Sequence, residues 1–171
     1  MITSEMVKHI QGTLNGLTKG KNTNFGQDLD AGDSAPDGGI LVVLTDGDSV
    51  DSLSTSAGKK VLASSTVLGK NEDIFTAEDK TINVINIPYS ETISIEKGTA
   101  QGFAIVQVAA TNLKVVSIVG SNENADPRKK YVIDNNKLEG CSVLFSGSIS
   151  NNQTIEENNS FSLSNIKITF N

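Results

Sequence analysis

The stretch FAIVQVAATNLKVVSIV, residues 103–119, decides the fold class of this chain. It contains two runs rich in Val and Ile, residues 103–110 and 113–119, which are separated by Thr111 and Asn112. β-Branched residues favour pleated, half-buried strands, and a two-residue polar break between two such runs favours a tight turn. The stretch therefore predicts two antiparallel strands joined as a hairpin.

Similar short runs lie on both sides of this stretch. They are residues 40–44, 82–87, 92–96, 131–133, 142–145 and 161–170, and residues 60–68 fit either a strand or a short helix. The run at 40–44 is apolar throughout, which predicts a strand that is buried on both faces. Many short strands joined by Gly, Asn and Ser turns are typical of a mainly β fold, an antiparallel β-sandwich or jelly roll.

The last of these runs contains a change of parity. The apolar residues up to Leu163 lie at odd positions, whereas those from Ile166 onward lie at even positions. Because side chains alternate across a strand, both sets reach one face only if a residue is inserted between them. We therefore expect a β-bulge at Ser164 and Asn165.

Helical periodicity is confined to the N-terminus. Apolar residues recur there at spacings of three and four, at Ile2, Met6, Ile10, Leu14 and Leu17. This stripe predicts a helix over residues 3–17, with Thr3 or Ser4 as its N-cap. A helix this short is only marginally stable alone, so its stripe needs a surface to pack against.

Residues 18–39 are rich in Gly, Asn, Asp, Thr and Lys, which is typical of loops. We therefore divide the chain into an N-terminal helix and extended arm, residues 1–39, and a β-sandwich domain, residues 40–171. In one interpretation the arm carries the five stripe residues to a neighbouring protein, which makes them the predicted partner contacts. In the other, the helix folds back on its own sandwich.

Charge and hydropathy narrow the classes of partner. The formal net charge is −6, which disfavours binding to nucleic acid and to anionic lipid. No window of about 18 apolar residues is present, so no membrane span is predicted. The N-terminus lacks the basic and apolar regions of a signal peptide, so we expect synthesis in the cytoplasm without a signal peptide.

Residues able to carry chemistry are sparse. His9 is the sole histidine and Cys141 the sole cysteine, so neither a multi-histidine metal site nor an intrachain disulfide is predicted. Cys141 is expected to be a buried, inert thiol. Two aspartate clusters begin like calcium loops but lack the closing Glu, and we interpret them as Asp-rich turns: Asp28, Asp30, Asp33 and Asp37, and Asp46, Asp48 and Asp51. We expect no enzyme activity, no catalytic residues, no metal and no cofactor.

The helix at residues 1–17, the polar arm at 18–39 and the aromatic-poor β-sandwich behind them resemble small bacteriophage virion proteins. The resemblance is to capsid decoration, vertex and head-fibre proteins. It implies a non-enzymatic structural protein that attaches to a capsid through its N-terminal arm and displays a β-sandwich. It also implies capsid or other virion proteins as partners, a homo-oligomer, and location in the virion.

A carbohydrate-binding or adhesion module is the alternative function. Residues 163–168 resemble the closing strand of many carbohydrate-binding modules. Such modules usually stack sugars on exposed aromatic side chains, for which Tyr89 and Tyr131 are the candidates. An enzyme would instead need a polar cleft with at least two converging catalytic groups.

Overall fold

The computed structural model describes residues 1–19, 38–55, 59–68, 73–87, 92–116, 130–157 and 161–171. The elements in these ranges are α1 Ser4–Lys19, β1 Gly38–Thr45, β2 Val61–Ser65, β3 Phe75–Glu78, β4 Thr81–Val84, β5 Thr92–Ser94, β6 Gly98–Ala109, a 3-10 turn Ala110–Asn112, β7 Leu113–Val116, β8 Lys130–Ile133, β9 Ser142–Ile155 and β10 Lys167–Thr169. Of the described residues, 50% are in strands and 14% in helices, so the predicted mainly β class with a short N-terminal helix is confirmed.

The largest sheet holds five strands in the order β5-β2-β1-β6-β9. Every neighbouring pair in it is antiparallel, as predicted. A three-stranded sheet has the order β10-β4-β3, and β7 pairs with β8 in a two-stranded sheet. The sheets pack in layers, as in a sandwich, and the jelly-roll topology stays a prediction.

β1 lies at the centre of the five-stranded sheet, and all eight of its residues are buried. Because side chains alternate along a strand, its even-numbered and odd-numbered residues point to opposite faces. Ile40, Val42 and Leu44 enter one hydrophobic cluster, called here the first core. Leu41 and Val43 enter a separate cluster, the second core. The prediction that residues 40–44 form a strand buried on both faces is confirmed.

The first core is enclosed by the five-stranded sheet, the three-stranded sheet and α1. Phe75 of β3 and Ile82 of β4 are fully buried in it. From α1 it receives Val7, which is fully buried, and Leu14, which is 5% exposed. The N-terminal helix therefore packs in cis on its own sandwich.

The second core lies on the opposite face of the five-stranded sheet, under β7 and β8. Its buried members include Tyr131 and Ile133 of β8 and Leu138 after it. Val50 and Leu53, from the segment after β1, complete it. The five-stranded sheet is therefore the middle layer between two covers.

The predicted hairpin between residues 103–110 and 113–119 is wrong. β6 and β7 do form there, but β6 pairs with β1 and β9, whereas β7 pairs with β8. The buried Asn112 explains the separation, because its Nδ2 donates to the carbonyl oxygens of Lys137, at 2.6 Å, and Glu139, at 3.2 Å. These bonds hold the start of β7 near the segment after β8. Residues 117–119 lie outside the described residues.

The predicted bulge after Leu163 is also corrected. Leu163 pairs with Ile87 and Ile168 pairs with Ile82, so equal lengths of chain separate the two pairs. The backbone does leave the regular strand at Asn165, which has a φ of 58°. The parity of the buried residues changes at the expected place in residues 163–168. It changes equally in the paired segment, residues 82–87, so no residue is inserted.

Two further sequence predictions concern the N-terminal arm and membrane-spanning helices. β1 begins at Gly38, inside the predicted arm of residues 1–39, and residues 20–37 of that arm lie outside the described residues. In the part of the chain that the structure describes, no helix has the length and apolar character that crossing a membrane requires.

Candidate functional site

The N-terminus of α1 is capped as the sequence predicts. Thr3 is the N-cap, because its Oγ1 accepts a hydrogen bond from the Met6 N–H at 3.2 Å. Ser4 instead donates from its hydroxyl to Oδ1 of Asp79, at 2.7 Å, in the turn between β3 and β4. The cap therefore starts the helix, and the neighbouring serine ties that start to the three-stranded sheet.

Polar contacts fix the middle of α1 to β3. Nδ2 of Asn15 donates to the Phe75 carbonyl oxygen at 2.8 Å, and the Phe75 N–H donates to Oδ1 of Asn15 at 2.9 Å. Nε2 of Gln11 donates to the same carbonyl oxygen at 2.9 Å. Since the Asn15 bonds are buried, they fix both the position and the rotation of the helix on the sheet.

The five predicted partner contacts do not all lie in the same environment. Leu14 is buried in the first core, and Ile2, Ile10 and Leu17 are half-buried against it. Met6 is 52% exposed. Contact of these residues with a partner stays a prediction, but Leu14 already contacts its own sandwich. Sequence reasoning missed the buried Val7, although its spacings to Ile10 and Leu14 fit the helical period.

An apolar groove remains open between α1 and β9, and we call it the α1–β9 groove. Its volume is about 350 Å³. It is lined by Met6, His9, Ile10, Thr13, Leu14 and Leu17 of α1 and by Leu144 and Phe145 of β9. The groove thus joins most of the predicted stripe to a strand far away in the sequence.

A bulge in β9 builds the second wall of this groove. The pairing of β9 with β6 shifts between Ile105 and Val106, opposite Leu144. As a result Leu144 and Phe145, although consecutive, both pack against the first core, whereas Val143 packs against the second. A bulge re-aims side chains in this way, and here it brings two consecutive apolar side chains to the wall that faces α1.

A second concavity, the β9–β10 cleft, lies further along β9, and its apolar lining residues also belong to the first core. Ser148 pairs with Gly102 and Gln153 with Ala100, so residues 149–152 stand opposite Gln101 alone and form an excursion of β9. The facing wall is the segment 162–167, which leads into β10. The volume between the two walls is about 430 Å³.

The ionisable groups singled out by the sequence do not converge in either concavity. His9 is exposed on α1, and its Nε2 lies 3.8 Å from Oε1 of Glu5 one turn earlier. Cys141 is half-buried against the second core. Burial, with a smaller contribution from the charge of Glu139, raises the pKa of the Cys141 thiol to about 11.

One ion pair is built into the surface beside the five-stranded sheet. Nζ of Lys60 lies 2.8 Å from Oε1 of Glu96, and Nδ2 of Asn135 donates to Oε2 of Glu96 at 2.7 Å. The hydrogen bond from Lys60 holds the pKa of the Glu96 carboxyl below its ordinary value, and the bond to Glu96 raises the pKa of Lys60. These bonds join Lys60 before β2, Glu96 after β5 and the turn after β8, so we interpret the cluster as a structural link. Oδ1 of Asn135 is buried and has no hydrogen-bond partner among the described residues.

The residues that the sequence offered for sugar stacking and for calcium binding do not form either kind of site among the described residues. Tyr131 is 4% exposed in the second core, so its ring face is not open to a sugar. Tyr89 and the aspartates from Asp28 to Asp37 lie outside the described residues. Among the residues that are described, no group of three or more His, Cys, Asp or Glu side chains is placed to hold a metal ion.

No protein-family model, no curated protein and no solved structure matches this chain.

Proposed function

We propose that this chain is a non-enzymatic structural protein of a bacteriophage virion, and that it assembles with copies of itself through the α1–β9 groove. The main support is that α1, although docked on its own sandwich, leaves this apolar groove open beside the exposed Met6. Concave apolar surface of this kind commonly serves as a protein-docking site. The mainly β class agrees with the virion proteins that the sequence resembles.

The apolar side chains of α1 fall into two groups. Val7 and Leu14 are buried in the first core. Met6, Ile10 and Leu17 retain surface that lines the groove. Because α1 is already fixed by the Asn15 hydrogen bonds, this surface is ordered before a partner arrives, and less conformational entropy is lost on association.

Charge also favours association at this surface. The chain has a net charge of −6, yet the described residues that line the groove include neither Asp nor Glu, and His9 is the titratable one among them. Two acidic subunits that meet here therefore bring no described carboxylate into the lining itself, where repulsion would cost affinity. Glu5 lies beside the groove, 3.8 Å from Nε2 of His9.

The proposed mode of attachment differs from the extended arm that the sequence suggested. Since α1 packs in cis, attachment is proposed through the docked helix and β9 together.

Native mass spectrometry and sedimentation of the intact protein test self-assembly. We expect an oligomer at micromolar concentration, and we expect Met6→Lys to weaken its association constant at least tenfold. Burying a methionine stabilises an interface by about 1.5–3 kcal/mol, and a buried unpaired ammonium opposes it. Gly12→Lys is the matched control, because it adds the same charge to α1 at an exposed site outside the groove lining.

Self-assembly would be contradicted if the protein stayed monomeric up to about 100 µM. A dissociation constant of that size corresponds to a binding free energy of roughly 5–6 kcal/mol. So would an oligomer that Met6→Lys and Gly12→Lys weaken equally. The virion setting has its own test, peptide mass spectrometry of purified particles from a phage that encodes the chain. We expect the chain in fixed proportion to the capsid protein, and its absence would contradict that setting.

A further inference from the structure

We propose that the β9–β10 cleft is a binding site for a neutral oligosaccharide. Its volume of about 430 Å³ lies within the range of small-ligand sites, about 300–1,000 Å³. Both of its walls are irregular backbone, the β9 excursion at residues 149–152 and the left-handed turn at Asn165. Bulges and irregular segments on a rigid sheet commonly carry binding residues.

The polar side chains of the cleft match the hydroxyl groups of a sugar. Its walls carry the amides of Asn151, Gln153 and Asn165, together with several serine hydroxyls, among them Ser164. Amides and hydroxyls both donate and accept hydrogen bonds, as sugar hydroxyls do. Within the described part of the chain, the side chains of Asn151 and Gln153 form no hydrogen bond, so they are available to a ligand.

The charge of the lining favours a neutral ligand over an ion. Among the described residues that line the cleft, Lys167 is the only charged one and none carries a carboxylate, although the chain is acidic overall. A metal cation would need several oxygen ligands with negative charge, and a polyanion would need several cations. A neutral ligand rich in hydroxyl groups needs neither.

The floor of the cleft is apolar. Phe103 and Ile166 are half-buried in it, and Leu44 and Leu163 are buried below. The Phe103 ring lies close to Gly147, because a Cβ added there would stand 3.0 Å from Cε1 of the ring. A pyranose ring has a C–H face as well as hydroxyl edges, so an apolar floor with polar walls suits it.

Titration of the full-length, ¹⁵N-labelled protein with neutral hexasaccharides tests this proposal. Malto-, cello-, xylo-, manno- and N-acetylchitohexaose are the probes, each added up to about 10 mM, which covers a Kd of about 1 mM. We expect at least one of them to produce saturable amide shifts, concentrated in residues 148–153 and 162–167. The double variant Asn151→Ala/Gln153→Ala should weaken that binding at least tenfold, since it removes two hydrogen-bonding amides.

Asn136→Ala is the matched control, because it removes an exposed amide in the turn after β8, away from the cleft. Asn136→Ala should bind the sugar with the affinity of the unaltered protein. The amide spectrum of the double variant should be unchanged outside the cleft, which would show that the double variant remains folded. Three results would overturn the proposal: no saturable shifts with any of the five sugars, shifts that map away from the cleft, or unchanged affinity in the double variant.

Discussion

The side chain of Asn15 pairs with the backbone of Phe75 as a neighbouring strand would. It donates to the Phe75 carbonyl at 2.8 Å and accepts from the Phe75 N–H at 2.9 Å. β3 is an edge strand of the three-stranded sheet, and Asn15, 6% exposed, occupies its open side. One helical side chain thus satisfies a backbone donor and acceptor that an edge strand usually leaves to solvent.

Replacing Asn15 by Ala should lower the free energy of unfolding by about 1–3 kcal/mol, because it leaves a buried backbone N–H without a partner. Urea unfolding should show a lower midpoint with an unchanged slope. Gln11→Ala is the control. Gln11 donates to the Phe75 carbonyl oxygen, which also accepts from Asn15, so its removal leaves that oxygen with a hydrogen bond. Equal losses in the two variants would contradict the role given to Asn15.

Gly102→Ala should destabilise the protein, because an added Cβ would stand 2.3 Å from the Gly47 oxygen and 2.9 Å from the Gly147 oxygen. Both are backbone atoms, so strands or turns must move to admit it. We expect a loss of about 1–3 kcal/mol, as for other overpacked sites.

The same substitution at Gly12 should have the opposite sign. Gly12 lies within α1, and an added Cβ there meets nothing within 4 Å. Gly12→Ala should therefore stabilise the protein by about 1 kcal/mol through helix propensity. Thermal unfolding of the two variants makes the comparison, and a loss of stability at Gly12 would count against the described helix.

The Lys60–Glu96 pair should make stability depend on pH in the acid range. Its hydrogen bond to Lys60 lowers the Glu96 pKa from 4.5 in the folded state. The ionised carboxylate therefore stabilises the fold above that value, and this contribution is lost as the pH falls through and below it. The stability difference between the unaltered protein and Glu96→Gln should shrink on acidification from pH 7 to pH 3.

A double-mutant cycle identifies the cause of that pH dependence. If the pair is responsible, Lys60→Met should remove most of the difference that Glu96→Gln makes at pH 7. A difference that is independent of pH, or one that grows on acidification, would show that Glu96 acts through some other contact.

Cys141 should react slowly with alkylating reagents. The thiolate is the reactive form, and a pKa of about 11 leaves little of it at pH 8. We expect iodoacetamide to label the folded protein about a hundredfold more slowly than the protein unfolded in urea, whose thiol has an ordinary pKa of about 8.5. As this is the sole cysteine, the measured rate belongs to it. Equal rates in the two states would contradict the burial described.

Local sequence patterns located most strands but not their partners. β1 was found because an unbroken apolar run reflects burial on both faces. The hairpin at residues 103–119 was wrong because the destination of β7 depends on Asn112 and on carbonyl groups more than twenty residues further along. Pairing of this kind is non-local, and no short window of sequence contains it.

Two strands were missed or shortened for related reasons. β3 has a weak apolar pattern and forms through its hairpin with β4, which turns at Asp79 with a φ of 50°. β9 was predicted over 142–145 but extends to Ile155, because residues 146–154 are mostly Ser, Asn and Gly and look like a turn. The ladder with β6 holds residues 146–148 and 153–154 in strand conformation, and residues 149–152 form the excursion between them.

The candidate sites were predictable only in part. The stripe of α1 follows from its spacing, so one wall of the groove could be named in advance. The other wall, Leu144 and Phe145, depends on a bulge that only the pairing with β6 reveals. One wall of the β9–β10 cleft overlaps residues 163–168, which resemble the closing strand of carbohydrate-binding modules. The cleft itself was not predictable, because its polar residues resemble ordinary turn residues until two distant segments face each other.

β1 also determines how the molecule opens. Its backbone amides bond to β2 on one side and β6 on the other, and its side chains are shared between the two cores. Neither cover can be lost completely without exposing apolar side chains of this strand. Its amide protons should therefore be among the last to exchange with deuterium, and only through global unfolding. A single strand thus couples both halves of the protein into one cooperative unit.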